Sequence, residues 1–318
     1  MSSTFASGRS RLERRVAGEN VWLRRAGGDD QVEPAALSPH RLNYEVLDSE
    51  TAVGRAMLEE IKTAARETEG DLTIVLLGGR GAQALHRLLG EQAKTNELDR
   101  LLSRLNVFTQ DALAPMSRDN AFSFVRDFER LLGEAFFKKI KSFTSMQTDA
   151  SNPEDGFIGY LETLQSQSPI DIFFLGLGPE ANAASHLAYI KPGSGAAATD
   201  IAGIIPISPS ILEHHITKFK AGGAKFNEAD EVECRNATHI LTLGPAAILS
   251  ARRIVQSIVD ADTAPAKRSS FQRLIEAEIS GDQETRARQL DENPGLWVRL
   301  HRSVRSLILP NLLLTDSK

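Results

Sequence analysis

The chain has 318 residues, 41% hydrophobic and 25% charged, with a formal net charge of −5, ordinary values for a globular protein with room for a large core. The acidic balance argues against a general nucleic-acid binder, and no apolar run approaches the roughly 20 residues that span a bilayer, so neither nucleic acid nor membrane is an expected partner. The single cysteine, Cys234, excludes an internal disulfide and a thiolate zinc site and points to a cytoplasmic protein.

Residues 1–38 read as a basic N-terminal arm, expected to be flexible. Arg9, Arg11, Arg14, Arg15, Arg24 and Arg25 crowd a Ser/Gly-rich stretch, with Val21, Trp22 and Leu23 available to pin part of it to the surface. Such a start also has the composition of a transit peptide, against which Glu13 and Glu19 weigh. From residue 39 to 318 the pattern is that of one domain. Val53, Met57, Ile61 and Ala64 recur at helical spacing and predict a helix over Glu50–Glu67. Asp71 then introduces an apolar strand that ends in Gly78-Gly79-Arg80-Gly81. Arg80 reads either as a guanidinium fork for phosphate or as a solvent-facing residue after a βα turn. A short strand, Leu105–Thr109, leads to Asp111, which is either a carboxylate at a ligand-binding sheet edge or a turn cap. Asp119 opens a long helix with a stripe of Phe122, Val125, Phe128, Leu132, Phe136 and Ile140.

The stretch Asp171–Ser194 is central. Ile172–Leu175 reads as a strand buried on both faces. Gly176 and Gly178 bracket the turn after it, and Pro179-Glu180 has the chemistry of a first helical turn, which predicts a strand-to-helix turn of the kind that holds anions. His214 and His215 follow in a predicted helix, too divergent in direction to share a metal. Thr238–Ile254 reads as an alternating strand, a Leu-Gly turn and a helix of small residues, and Val255–Val259 as the next strand. Ala266-Lys267 opens a helix, Ser280–Pro294 is a charged insertion, and Val304–Leu309 is a last strand. The alternation predicts an α/β domain with a doubly wound, largely parallel sheet flanked by helices, Rossmann-like in kind. In that topology the Gly78–Gly81 and Gly176–Glu180 turns share the C-terminal edge of the sheet.

These segments resemble the glucosamine-6-phosphate deaminase/isomerase and 6-phosphogluconolactonase family. In that family a strand ends in Gly-x-Gly-x-Asp-Gly-His, and the isomerase branch continues to Pro-Gly-Ser. Aligned from the left, Gly176 and Gly178 match the glycines, Glu180 the Asp and Asn182 the His. Aligned from the right on Pro192-Gly193-Ser194, His186 matches the histidine, Ala184 replaces the Asp and Lys191 replaces a catalytic Glu. The resemblance implies a sugar-phosphate ligand and chemistry that needs no metal or organic cofactor. It implies Gly78, Gly79, Arg80, Gly81 and Lys267 at the phosphate, and Gly176, Gly178 and Asn182 in the substrate loop. By the same resemblance Asp111 shuttles the C1/C2 proton, His186 assists ring opening and Glu180 is a displaced partner for it. Thr199, Ile201 and Ser210 stand where the isomerase branch carries arginines. A lactonase and a non-catalytic sugar-phosphate binder are the competing expectations, and a homo-oligomer is left open.

Overall fold

The computed structural model describes residues 12–26, 38–150, 152–180 and 185–314. Its first half runs β1 (Leu12–Ala17), β2 (Asn20–Arg25), β3 (Tyr44–Val46), α1 (Glu50–Glu67), β4 (Leu72–Leu76), α2 (Gln83–Ala93), α3 (Asp99–Leu102), β5 (Leu105–Thr109), β6 (Asp111–Ala114), α4 (Phe124–Lys139), β7 (Ser142–Thr144), α5 (Pro153–Ser166) and β8 (Ile172–Leu175). The second half runs β9 (Leu177–Pro179), β10 (Ser185–Leu187), β11 (Asp200–Pro206), α6 (Pro209–Ala221), α7 (Glu228–Arg235), β12 (His239–Leu243), α8 (Pro245–Leu249), β13 (Arg253–Ile258), α9 (Ala266–Glu276), α10 (Gln283–Glu292) and β14 (Val304–Ile308).

A seven-stranded sheet in the order β3-β14-β13-β8-β4-β5-β7 forms the frame, and every neighbouring pair in it is parallel. Both faces are covered, which is why its central strands are apolar throughout rather than alternating. Phe173, Leu175, Val75 and Ile254 point into one core, while Ile172, Phe174, Ile74 and Val255 point into the other. The second core is filled largely from α1, α2 and α4. The first is shared with α5 and with a five-stranded antiparallel sheet, β1-β2-β11-β12-β6. Among the described residues no helix is long and apolar enough to cross a membrane.

Residues 12–26 fall within the stretch expected as an arm, yet they form a hairpin that completes the antiparallel sheet. Its β2 pairs with β11, setting Trp22 against Gly203 and Leu23 against Ala202. Trp22 is fully buried, and its indole N–H donates to the Ser194 carbonyl at 3.0 Å. Arg15 donates to the Gly195 carbonyl at 2.7 Å and forms an ion pair with the buried Asp200. Val21, Trp22 and Leu23 are consecutive apolar residues among arginines, so no period of two marked the strand. Of the rest of the 1–38 stretch expected as an arm, residues 1–11 and 27–37 lie outside the described residues. Trp22→Ala is expected to cost about 3–5 kcal/mol, the range for emptying a large aromatic site, and urea unfolding measures it. An unchanged midpoint would show that the hairpin is not integral to the fold.

Two other expectations are corrected. The helix predicted from Asp119 starts at Phe124, because Ser123 caps it by accepting from the Val125 N–H. More consequentially, Pro179-Glu180 does not open a helix. Leu177–Pro179 pairs antiparallel with Ser185–Leu187, so the stretch after β8 is a small two-stranded ribbon. Among the described residues no helix begins at this turn to face an anion. Proline is as compatible with a ribbon edge as with a first helical turn, and the sequence signal was shared by both.

Candidate functional site

Along the chain the parallel sheet grows from β4 through β5 to β7 on one side, then returns to β8 on the other. Between β4 and β8 the direction of growth reverses, and α/β sheets open a crevice beyond the strand C-termini at such a point. A cleft of about 110 Å³ lies there. It is lined by Gly78–Gly81 after β4, Gly176–Pro179 after β8, and Ser257 and Asp260 at the end of β13. Gln110 and Asp111 enter from the β5–β6 junction, His186 and Tyr189 from the ribbon and the turn after it, His214, His215 and Lys218 from α6, and Lys267 from α9. The two glycine turns are neighbours. A Cβ at Gly81 would lie 3.2 Å from a Leu77 methyl, and one at Gly176 would lie 3.0 Å from the same methyl.

The cleft therefore gathers Gly78, Gly79, Arg80, Gly81, Asp111, Gly176, Gly178, His186 and Lys267. Glu180 does not line it, and Asn182 lies outside the described residues. Glu180 accepts from Ser208 Oγ at 3.4 Å, ahead of α6. Among the described residues no hydrogen bond between it and His186 accompanies this contact.

His186 stands directly opposite Gly178 in the ribbon, and its imidazole occupies the space where a side chain at Gly178 would be. This close approach, rather than an anion cradle, is what glycine provides here. The Tyr189 N–H donates to His186 Nδ1 at 3.0 Å, and the Tyr189 ring stacks on the imidazole at 4.4 Å and 12°. Ala188 and Tyr189 hold this turn with φ of 49° and 56°, a left-handed conformation that costs energy in residues with a Cβ and gathers at functional sites. With Nδ1 an acceptor, the neutral ring carries its proton on Nε2 and presents a donor. Burial pushes its pKa down to about 3, helped by Lys267 and His214. Lys191, which falls on the family Glu when the match is aligned from Pro192-Gly193-Ser194, donates to the Pro206 carbonyl at 3.0 Å. The lysine acting on this imidazole is thus Lys267.

Asp111 opens β6, opposite Thr242, where the chain passes from the parallel sheet to the antiparallel one. Its side chain makes no hydrogen bond or ion pair among the described residues. Burial raises its pKa to about 8, so near neutrality it both holds and releases a proton. The cations sit around Asp260. Lys267, itself buried, is ion-paired to it, and Lys218 approaches to 3.7 Å. Burial would raise the Asp260 pKa, but the two lysines more than offset this and hold it below the usual range. Arg80 is paired with Glu50 of α1 at 2.6 Å and stays half-exposed. Lys218, Tyr189 and Asp260 were missed by the sequence reading. Lys218 lies one helical turn from His214, so the i,i+4 face of α6 was the available signal. Among the described residues no group of three or more His, Cys, Asp or Glu side chains is placed to hold a metal ion.

A family model described as glucosamine-6-phosphate isomerases/6-phosphogluconolactonase matches residues 48–218, more than half of the chain. The chain belongs to this family. The family match spans the glycine turns, Asp111, His186 and Lys218, and stops before Asp260 and Lys267. Solved structures carry the likeness further along the chain. A monomeric glucosamine-6-phosphate deaminase superposes with a TM-score of 0.65 at 18% identity, covering 85% of this chain and 98% of that one. The 6-phosphogluconolactonase from Trypanosoma brucei gives 0.62 at 17% identity, covering 86% and 98%. The one from Shewanella baltica gives 0.59 at 15%, covering 86% and 99%. At these identities the likeness is one of fold, shared by the deaminase and lactonase branches alike. No curated protein matches the chain in sequence.

Proposed function

We propose that this protein binds a phosphorylated amino sugar in the cleft and is a slow deaminase/isomerase-type enzyme, in which water replaces the amine and an aldose becomes a ketose. The observation that carries the reading is that Asp111 and His186 line one cleft with Lys218 and Lys267. The lysines and Arg80 supply charge for the phosphoryl group. Asp111, with its pKa raised to about 8, suits moving a proton between neighbouring carbons, because an acid–base catalyst works best with a pKa near the operating pH.

His186 accounts for the slowness. Ring opening needs an imidazole that takes and returns a proton, steadied by a carboxylate. Here Nδ1 is committed to a backbone amide and the nearest charges are cationic. The ring can donate to a sugar oxygen, but its charged form is disfavoured. The same tautomer argues against the lactonase reading, which needs Nε2 as a base toward water. Burial pushes the Cys234 thiol up to about 12, so it is not poised as a nucleophile.

The test is ammonia release from glucosamine 6-phosphate, run beside hydrolysis of 6-phosphogluconolactone and calorimetric binding of the amino-sugar phosphate. Binding with a turnover well below roughly 10 per second, the enzyme median, is expected, with the lactone untouched. Rapid lactone hydrolysis would move the protein to the other branch. Binding without any turnover would make it a sugar-phosphate binder, and a deamination rate at or above the median would show that another carboxylate serves His186.

A further inference from the structure

At the opposite edge of the parallel sheet, where β13 and β14 begin, lies a second cavity of about 400 Å³. Its walls carry Arg41, Arg253, Arg299, Arg302 and Arg305 against one carboxylate, Glu60. The chain from Arg253 to Asp260 climbs the sheet at about 3.3 Å per residue, so this cavity is roughly 20 Å from the cleft and shares no residue with it.

The arginines fall into two groups. Arg253 and Arg305 are paired with Glu60, and also with Glu67 and Glu45 respectively. Arg299 is anchored by the carbonyls of His40, Leu274 and Ala277, which hold its position without neutralising it. Arg41 and Arg302 make no hydrogen bond or ion pair among the described residues. The Arg41 charge also lies close enough to Arg299 to help depress its pKa, behind the larger effect of burial. Glu60 is already shared by Arg253 and Arg305, so Arg41, Arg299 and Arg302 are like charges it does not neutralise, and a bound anion relieves their repulsion.

We propose that this cavity is a binding site for a small, multiply charged phosphate compound, gripped by Arg41, Arg299 and Arg302. Planar guanidinium forks match phosphoryl oxygens in pairs. The chemistry favours a compact anion over a nucleic-acid strand, since Glu45, Glu60 and Glu67 flank the cavity and a chain with net charge −5 repels an extended polyanion.

Pyrophosphate titrated into the full chain by calorimetry tests this. The wild type should bind it, and the R41A/R302A double variant should bind at least about tenfold more weakly, the loss expected of one charge-assisted hydrogen bond or more. Neither guanidinium has a partner among the described residues and both add to the repulsion, so the double variant should melt no lower than the wild type. Any pyrophosphate held in the cleft is weakened by Lys218→Ala, so the loss caused by R41A/R302A should be the same in the Lys218→Ala background as in the wild type. Affinity unaltered in R41A/R302A, or lost in Lys218→Ala alone, would overturn the site. So would a single-stranded oligonucleotide that binds while pyrophosphate does not. None of these outcomes depends on amino-sugar turnover, so this site and the cleft can fail separately.

Discussion

Asp111→Asn is expected to stabilise the protein at pH 7 by on the order of 2–4 kcal/mol, at about 1.4 kcal/mol per pKa unit, while removing proton transfer in the cleft. The Asp111 carboxyl is buried and has a pKa of about 8 in the fold, against 3.8 for a free aspartate. Between those two values the folded protein holds a proton that the unfolded chain has released. Stability therefore falls as pH rises through this window, and the contribution is fully present only below it. Asparagine resembles the protonated acid in size and polarity and does not titrate. The gain should be largest near pH 8 and nearly absent near pH 4, as urea unfolding of both proteins at the two pH values would show. An equal gain at both would mean that Asp111 does not carry the ionisation. Catalytic rates should climb with pH toward about 8 in the wild type, as the carboxylate forms. They should fall about 10²- to 10⁴-fold in the variant, the usual worth of a general acid–base group.

On the acid side the histidines act in the other direction. Burial is the leading cause that lowers His86 and His186 to about 3 and His214 and His215 to about 4. Their stabilising contribution is present above about pH 6.5, the free-imidazole value, and is lost as pH falls toward their folded values. His86 is an extreme case, with both ring nitrogens buried without a hydrogen-bond partner among the described residues and the ring edge-on to Phe128 at 4.9 Å. The stability optimum expected from these groups lies near neutrality, between the histidines and Asp111.

The parts of the fold legible in the sequence are those whose burial leaves a local mark. Leu105–Thr109 and Ile172–Leu175 are buried along their length, so they read as unbroken apolar runs with turn residues at their ends. Glu50–Glu67 read as a helix because one face alone is covered. The elements that escaped are short and take their partners from far away. β6 follows β5 after a single residue but pairs with Thr242 and its neighbours, and nothing within Asp111–Ala114 says that the chain changes sheets there. The hairpin at Leu12–Arg25 is recognised through β11, about 180 residues further on by the Trp22–Gly203 pairing. In the site, glycines, Asp111, His186 and Lys267 carried family spacing. Asp260 and Lys218 did not, and their meaning is a three-dimensional one: each completes the charge of Lys267.

That charge arrangement leads to the expectation that Asp260→Asn will be destabilised by about 3–5 kcal/mol, the cost of breaking a buried pair by removing one partner. Lys267 is buried beside Lys218, and Asp260 is the carboxylate that compensates both. Without it two ammonium groups share a low-dielectric wall of the cleft. An anion that enters the cleft meets the same two cations, so in the wild type phosphate competes with Asp260, and in the variant it replaces the missing charge. Inorganic phosphate should therefore raise the melting temperature of Asp260→Asn more than that of the wild type at matched ionic strength. By mass action the variant should recover about 2.7 kcal/mol at a hundred times the dissociation constant. Chloride at the same ionic strength controls for screening, and R41A/R302A introduced into both proteins removes any contribution from the far cavity. A variant that is destabilised yet gains no more from phosphate than the wild type would show that Lys218, Lys267 and Asp260 form a structural ion cluster, and the phosphoryl group would then have to be held by Arg80 and the glycine turn alone.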